Sequence, residues 1–88
     1  MQIAYNTAFK KDYKAWQKKN SDKEELLVKA INLFIEDPFH PMLHTHKLKG
    51  KLKECYAFSV AYDLRVIFYF EDAGHAVFIA LGTHNEVY

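Results

Sequence analysis

The hydrophobic period of this chain changes once, and that change limits its fold more than any other feature. Up to Ile35 the apolar residues recur every three or four positions, whereas from Cys55 onward they alternate or run together. A helical half must therefore precede a sheet-forming half. Phe9, Tyr13 and Trp16 stand at i, i+4 and i+7 behind Thr7, a residue able to cap the helix they define. Lys10, Lys11, Lys14 and Lys18 occupy the mostly solvent-facing side of that helix. Ser21 and Glu24 have the S-x-x-E spacing of a capping box. They open a second stripe, Leu26, Leu27, Ala30, Ile31, Phe34 and Ile35, which Pro38 ends. So few residues separate the two patterns that an antiparallel helix pair is expected.

The second half reads as a sheet. After a loop from Phe39 to Gly50, the runs Cys55 to Val60 and Tyr62 to Phe70 are rich in aromatic and β-branched residues. Asp72, Ala73 and Gly74 supply a turn before a last strand, His75 to Leu81. These three runs form an antiparallel meander, and Gln2 to Tyr5, which alternates polar and apolar, adds a short strand at the start. In the middle run Leu64, Val66, Phe68 and Phe70 point to one face, under the helices, and Asp63, Arg65, Ile67 and Tyr69 to the other. The expected architecture is α+β in the order β-α-α-β-β-β, an antiparallel sheet with a two-helix hairpin packed on one face, as one domain over residues 1–88.

Composition excludes several classes. With 88 residues the chain buries only about 60% of its unfolded surface. Half of it is hydrophobic, too much for a disordered chain. No apolar stretch approaches the roughly 20 residues that span a bilayer, and Met1 leads into polar Gln2 and Asn6 without a signal-peptide pattern. The single cysteine, Cys55, cannot form an internal disulfide and reads as a small buried hydrophobe. A cytoplasmic location without a membrane partner is expected.

The net charge of +1 hides a segregated distribution. Lys10, Lys11, Lys14, Lys18 and Lys19 against Asp12 leave +4 in residues 1–20. Lys47, Lys49, Lys51, Lys53 and Arg65 against Glu54 and Asp63 leave +3 in residues 40–65. The other two blocks, 21–39 and 66–88, each come to −3. Basic patches can thus sit on a nearly neutral molecule. Lys47, Lys49, Lys51 and Lys53 alternate as if projecting from one side of an extended segment, which suits a track along RNA phosphates and equally a solvated loop.

Arg65, the only arginine, carries a permanent planar charge that fits a phosphate oxygen or an ion pair with Asp63. His84 lies just beyond the last strand and can exchange a proton near neutral pH. His40, His44 and His46 cluster in the loop, but their spacing fits no standard zinc motif and no cysteine completes a tetrahedral set, so no metal site is expected.

The order of elements, together with His46-Lys47-Leu48-Lys49-Gly50, Glu54-Cys55-Tyr56, Tyr62-Asp63-Leu64-Arg65-Val66-Ile67-Phe68 and Gly82-Thr83-His84-Asn85-Glu86-Val87-Tyr88, resembles the RelE/ParE superfamily of type II toxin-antitoxin toxins. Arg65 and the closing Glu86-Val87-Tyr88 look like RelE, and Gly82-Thr83-His84 and His46 like the YafQ branch. The resemblance implies a ribosome-dependent mRNA endoribonuclease that needs no metal or other cofactor and is restrained by a cognate antitoxin. Its partners would be that antitoxin, the ribosome and messenger RNA, in a hetero-oligomeric complex with the antitoxin. The implied chemistry is attack of the RNA 2′-hydroxyl on the adjacent phosphate, leaving a 2′,3′-cyclic phosphate.

Carried over residue by residue, the resemblance gives Arg65 the developing phosphorane charge and His84 a proton-transfer role. His46 or Asp63 would be the complementary base or its orienter, and Tyr88 would position the substrate. The chain departs from the pattern at Ala57 and Ser59, where RelE has lysines and YafQ has a histidine at the second position. The alternatives are a ParE-like toxin that inhibits DNA gyrase by binding, and a degenerate member that only binds an antitoxin.

Overall fold

The computed structural model describes residues 1–87, so Tyr88 lies outside the described residues. Its elements are β1 (Gln2–Tyr5), α1 (Thr7–Asn20), α2 (Glu24–Glu36), β2 (His46–Lys47), β3 (Tyr56–Ala61), β4 (Leu64–Asp72), β5 (His75–Gly82) and α3 (His84–Val87). Single 3-10 turns occupy Ser21–Lys23, Pro41–Leu43 and Gly50–Leu52. The five strands form one sheet in the order β1-β5-β4-β3-β2.

The α+β order and the helical hairpin on one face agree with the sequence reading, and two details correct it. The sheet is mixed, because β1 runs parallel to β5, from Gln2 opposite His75 to Tyr5 opposite Phe78. No hairpin ties β1 to β5, so its direction is set by the helix it must enter: Asn6 N–H donates to Phe78 O (3.1 Å) on the way into α1. The loop before the meander also contributes β2, which pairs His46 with Ala57 and Lys47 with Tyr56.

Local capping also differs from expectation. The cap of α1 is Asn6, whose Oδ1 accepts from Phe9 N–H at 2.8 Å, one residue ahead of Thr7. The Ser21-Glu24 box does not close; Ser21–Lys23 forms a 3-10 turn, and Glu24 begins α2 without a side-chain cap behind it. The Glu24 carboxylate instead accepts from the Tyr13 hydroxyl and from Gln17 Nε2 (3.1 Å), tying the two helices together. The Tyr13 bond holds the Glu24 carboxyl below its ordinary pKa and, by the same interaction, pushes the Tyr13 phenol up.

The core lies between the helices and the sheet. Leu27, Ala30 and Phe34 of α2 are buried, but Leu26 and Ile35 are 45% and 42% exposed, so the apolar stripe is narrower than the sequence suggests. Phe34 stacks on Phe58 (5.1 Å) and meets Phe68 (4.8 Å) and Phe78 (5.1 Å) edge-on. Leu64, Val66 and Phe68 belong to this core, with Phe70 packed against it. Cys55, Ala57 and Ile67 form a second, smaller cluster with Leu48, Leu52 and Tyr69. Burial pushes the Cys55 thiol up, with a smaller push from Glu54, so it stays protonated and behaves as a small apolar group. Among the described residues no helix is long and apolar enough to cross a membrane.

Candidate functional site

On the face of the sheet away from α1 and α2, Arg65 has small ladder neighbours and adjoins the apolar cluster around Ala57 and Ile67. In the ladder Arg65 stands directly between Ser59 on β3 and Gly82 on β5. One row along, His46, Ala57, Ile67 and Ala80 lie side by side across four strands. Paired residues share a face, so His46, Ser59 and Arg65 project to the same side. They line one cleft of about 470 Å³ together with Met42, His44 and Tyr62. Ser59 flanks Arg65 with little bulk on the β3 side, while on the β5 side Glu86 and Val87 of α3 sit over Gly82. Among the described residues no ion pair joins Arg65 to Asp63.

Asp63 is not on the strand as expected. Nor is Tyr62, because β3 ends at Ala61 and β4 begins at Leu64. The two residues form the connecting turn, beside an irregularity in the ladder between Ser59 and Ala61. The Asp63 side chain leaves Arg65 and accepts from the backbone N–H of His84 (Oδ1, 3.4 Å). Asp63 and His84 are thus brought together through the backbone of the latter.

His84 is exposed at the start of α3, a single helical turn that follows β5. Thr83 and Glu86 build this turn reciprocally: Thr83 N–H donates to Glu86 Oε1 (2.7 Å), and Glu86 N–H donates to Thr83 Oγ1 (3.4 Å). This is a capping box. The T-x-x-E spacing of Thr83 and Glu86 is the sequence signal for it. Gly82 makes the sharp bend possible, because a Cβ there would meet Glu86 Cβ and Oε1 at 3.0 Å.

His46 sits on the other flank. Its Nδ1 lies 3.0 Å from His44 O. A carbonyl only accepts, so Nδ1 carries the hydrogen, and the lone pair of the neutral ring resides on Nε2. Strand β2 is two strands from Arg65, about 10 Å at ~4.8 Å per strand, whereas β5 adjoins Arg65 on the opposite side. His46 therefore lies on the β3 side of Arg65 and shares its cleft, whereas His84, two residues beyond Gly82, does not line that cleft.

Lys47, Lys49, Lys51 and Lys53 are all exposed, but they do not share one side of an extended segment. Only His46–Lys47 is strand, and the chain then folds into the 3-10 turn at Gly50–Leu52, where Gly50 has φ 71°. That left-handed glycine breaks the alternation. Strand alternation turns Lys47 away from His46, and Lys49 and Lys51 share a shallow hollow with His46. His40 stands apart, its Nδ1 accepting from Met42 N–H (3.1 Å). Among the described residues no group of three His, Cys, Asp or Glu side chains is placed to hold a metal ion.

One structural residue near the site was not anticipated. Asp12 of α1 accepts from Leu81 N–H (Oδ2, 3.0 Å), covering an edge of β5 beyond the reach of β1. It lines a second groove, of about 480 Å³, bordered by Trp16, Lys19, Tyr62, Asp63 and Glu86. The 69-residue separation between the partners leaves no local signal.

Residues 1–88 match the family described as "Bacterial toxin of type II toxin-antitoxin system, YafQ". No curated protein matches the chain. Among solved structures the chain is similar to YafQ from E. coli strain BL21(DE3), at 25% identity and a TM-score of 0.84 over 99% of this chain and 97% of that one. It is also similar to a metal-bound toxin from Helicobacter pylori, at 30% identity and a TM-score of 0.80 over 100% and 99% of the two chains. The toxin of the E. coli DinJ-YafQ complex gives 25% identity and a TM-score of 0.81, with 99% and 97% covered.

Proposed function

Because this chain belongs to the YafQ family of bacterial toxins of type II toxin-antitoxin systems, we propose that it is a ribosome-dependent mRNA endoribonuclease restrained by a cognate antitoxin. One observation carries the catalytic part: Arg65, on a central strand, lines a cleft with His46 and Ser59 on the sheet face away from α1 and α2. Cleavage of RNA by its own 2′-hydroxyl requires a base and an acid on opposite sides of phosphorus, with a cation between them.

The reaction proceeds as follows. A base removes the 2′-hydroxyl proton, and the 2′-oxygen attacks phosphorus. The 5′-oxygen leaves with a proton from the acid, giving a 2′,3′-cyclic phosphate and a 5′-hydroxyl. Arg65 stabilises the charge that grows on the equatorial oxygens. His84 exchanges one of the two protons and His46 the other. Asp63 is a positioning residue, since its carboxylate is engaged with the His84 backbone. Tyr88 positions the substrate, as the family resemblance implies. Lys47, Lys49, Lys51 and Lys53 supply phosphate contacts from several directions. The partner antitoxin is inferred from the E. coli DinJ-YafQ complex; it would cover this face with acidic residues. The reaction would take place in the cytoplasm, where translating ribosomes are.

A second reading has one observation in its favour. Ser59, directly opposite Arg65, has little acid-base capacity, which suits a toxin that binds its target without cutting RNA. Mapping 5′ ends on a translated message in cells expressing the chain, Arg65→Ala and His84→Ala separates the two. Codon-phased cuts that vanish in either variant support the nuclease. Growth arrest without cuts, accompanied by an SOS response, transfers the assignment to gyrase inhibition, and neither effect indicates an antitoxin-binding remnant.

A further inference from the structure

We propose that Tyr62 is a stacking platform for the base next to the scissile phosphate, an inference that rests on the ribonuclease reading above. Tyr62 is 99% exposed, and no ring of the described residues contacts it. The other exposed aromatics differ: Tyr5 stacks on Phe9 (5.3 Å), and Phe39 meets Phe70 (6.0 Å). Single exposed apolar residues are common on protein surfaces, so position rather than exposure carries the argument.

Tyr62 borders both the cleft containing His46, Ser59 and Arg65 and the groove containing Asp63, Thr83 and Glu86. It occupies the turn between those two depressions. An RNA strand that places a phosphate on Arg65 and runs from the first depression into the second passes this ring. The turn is held on its C-terminal side by buried Leu64 and by the bond from Asp63 to the His84 backbone. The adjacent ladder irregularity at Ser59 and Ala61 is the kind of feature that re-aims a side chain.

Single-stranded RNA is recognised largely through splayed bases stacked on aromatic side chains. A tyrosine offers such a face at low entropic cost, because it has few rotatable bonds. With the Arg65 guanidinium committed to the phosphate, the neighbouring base needs a contact of its own. Tyr62 supplies that second contact and so determines where along the strand the cut falls.

The test uses ribosomes with an open A site on a message whose A-site codon carries 2-aminopurine and 2′-O-methyl groups, so that the chain binds without cutting. Wild type and Tyr62→Phe are expected to quench the fluorophore. Tyr62→Ala should melt at the wild-type temperature, bind roughly 5- to 150-fold more weakly and lose the quench. A wild type that gives no quench overturns the inference, as does Tyr62→Ala with wild-type affinity and quench. Weaker binding with the quench retained also overturns it, since the ring would then touch the ribosome and not the base. Cleavage of the unmodified message is scored in parallel. A wild type that quenches but never cuts refutes the ribonuclease reading alone and leaves the stacking contact standing.

Discussion

The two faces of the sheet are built by opposite rules. On the helix face Phe34, Phe58, Phe68 and Phe78 are fully buried and interlock ring against ring. On the open face the residues around Arg65 are Ala57, Ser59, Ala80 and Gly82, which contribute little bulk. The helix face holds the larger core, and the other face has only the smaller Cys55, Ala57 and Ile67 cluster beside its cation. Substitutions should therefore separate into those that unfold the protein and those that silence it.

The largest effect should come from the helix face. Phe34→Ala removes a ring in contact with three others and should cost about 3–5 kcal/mol. In a domain of this size that lowers Tm by roughly 12 °C or more, read by differential scanning calorimetry. A drop of only a few degrees would mean that the face collapses around the cavity and is less rigid than its ring contacts suggest.

Arg65→Ala should reverse that outcome. If Arg65 stabilises the transition state as proposed, its loss should cost about 100- to 1000-fold in single-turnover cleavage on programmed ribosomes. Arg65 is half-buried and in no ion pair among the described residues, so Tm should move by no more than a few degrees. If Tm falls as far as in Phe34→Ala, Arg65 is holding the open face together and the contrast between the faces fails.

A smaller effect is expected where the two faces meet the end of β5. Thr83→Ala removes one half of the box that folds α3 and should cost about 1 kcal/mol locally. Amide exchange at Glu86 and Val87 should rise by roughly fivefold while exchange in β4 stays unchanged. Cleavage should fall, because His84 loses its fixed position. Thr83→Ser, which keeps the hydroxyl, should restore both.

How far the sequence disclosed this arrangement differs between the faces for physical reasons. The alternation in β4 was legible, because period 2 converts directly into two faces, and Leu64, Val66 and Phe68 lie where it puts them. Arg65 on the far face follows from the same count. The parallel pairing of β1 was not legible, since its partner His75 lies beyond both helices and no turn links them. The turn at Tyr62 and Asp63 is hidden because Ala61-Tyr62-Asp63-Leu64 has no glycine or asparagine to mark it. The lysine track failed at Gly50, whose positive φ is a three-dimensional fact hidden in an ordinary loop glycine. The site's chemistry came from residue types and resemblance, and its layout from ladder register.

The smallest effect concerns the tie between the helices. Tyr13 donates to the Glu24 carboxylate, and that bond holds Glu24 below its ordinary pKa of 4.5. A group whose pKa is lowered on folding stabilises the fold above its unfolded pKa and loses that contribution as pH falls through the folded value. The Tyr13 phenol is raised from its ordinary 10.0, so its share is present below that pH and disappears as pH rises through the raised value. Tyr13→Phe should therefore lower the urea midpoint on a plateau between about pH 5 and 9, and the difference should shrink as pH falls from 4.5 through the lowered Glu24 value. The ribonuclease rate should not respond, because the tie lies on the helix side of the sheet and Arg65 on the other. A pH-independent gap would mean that Tyr13 contributes by packing alone. A matching change in cleavage would show that the helix hairpin is coupled to the open face, so that the two surfaces are not independent.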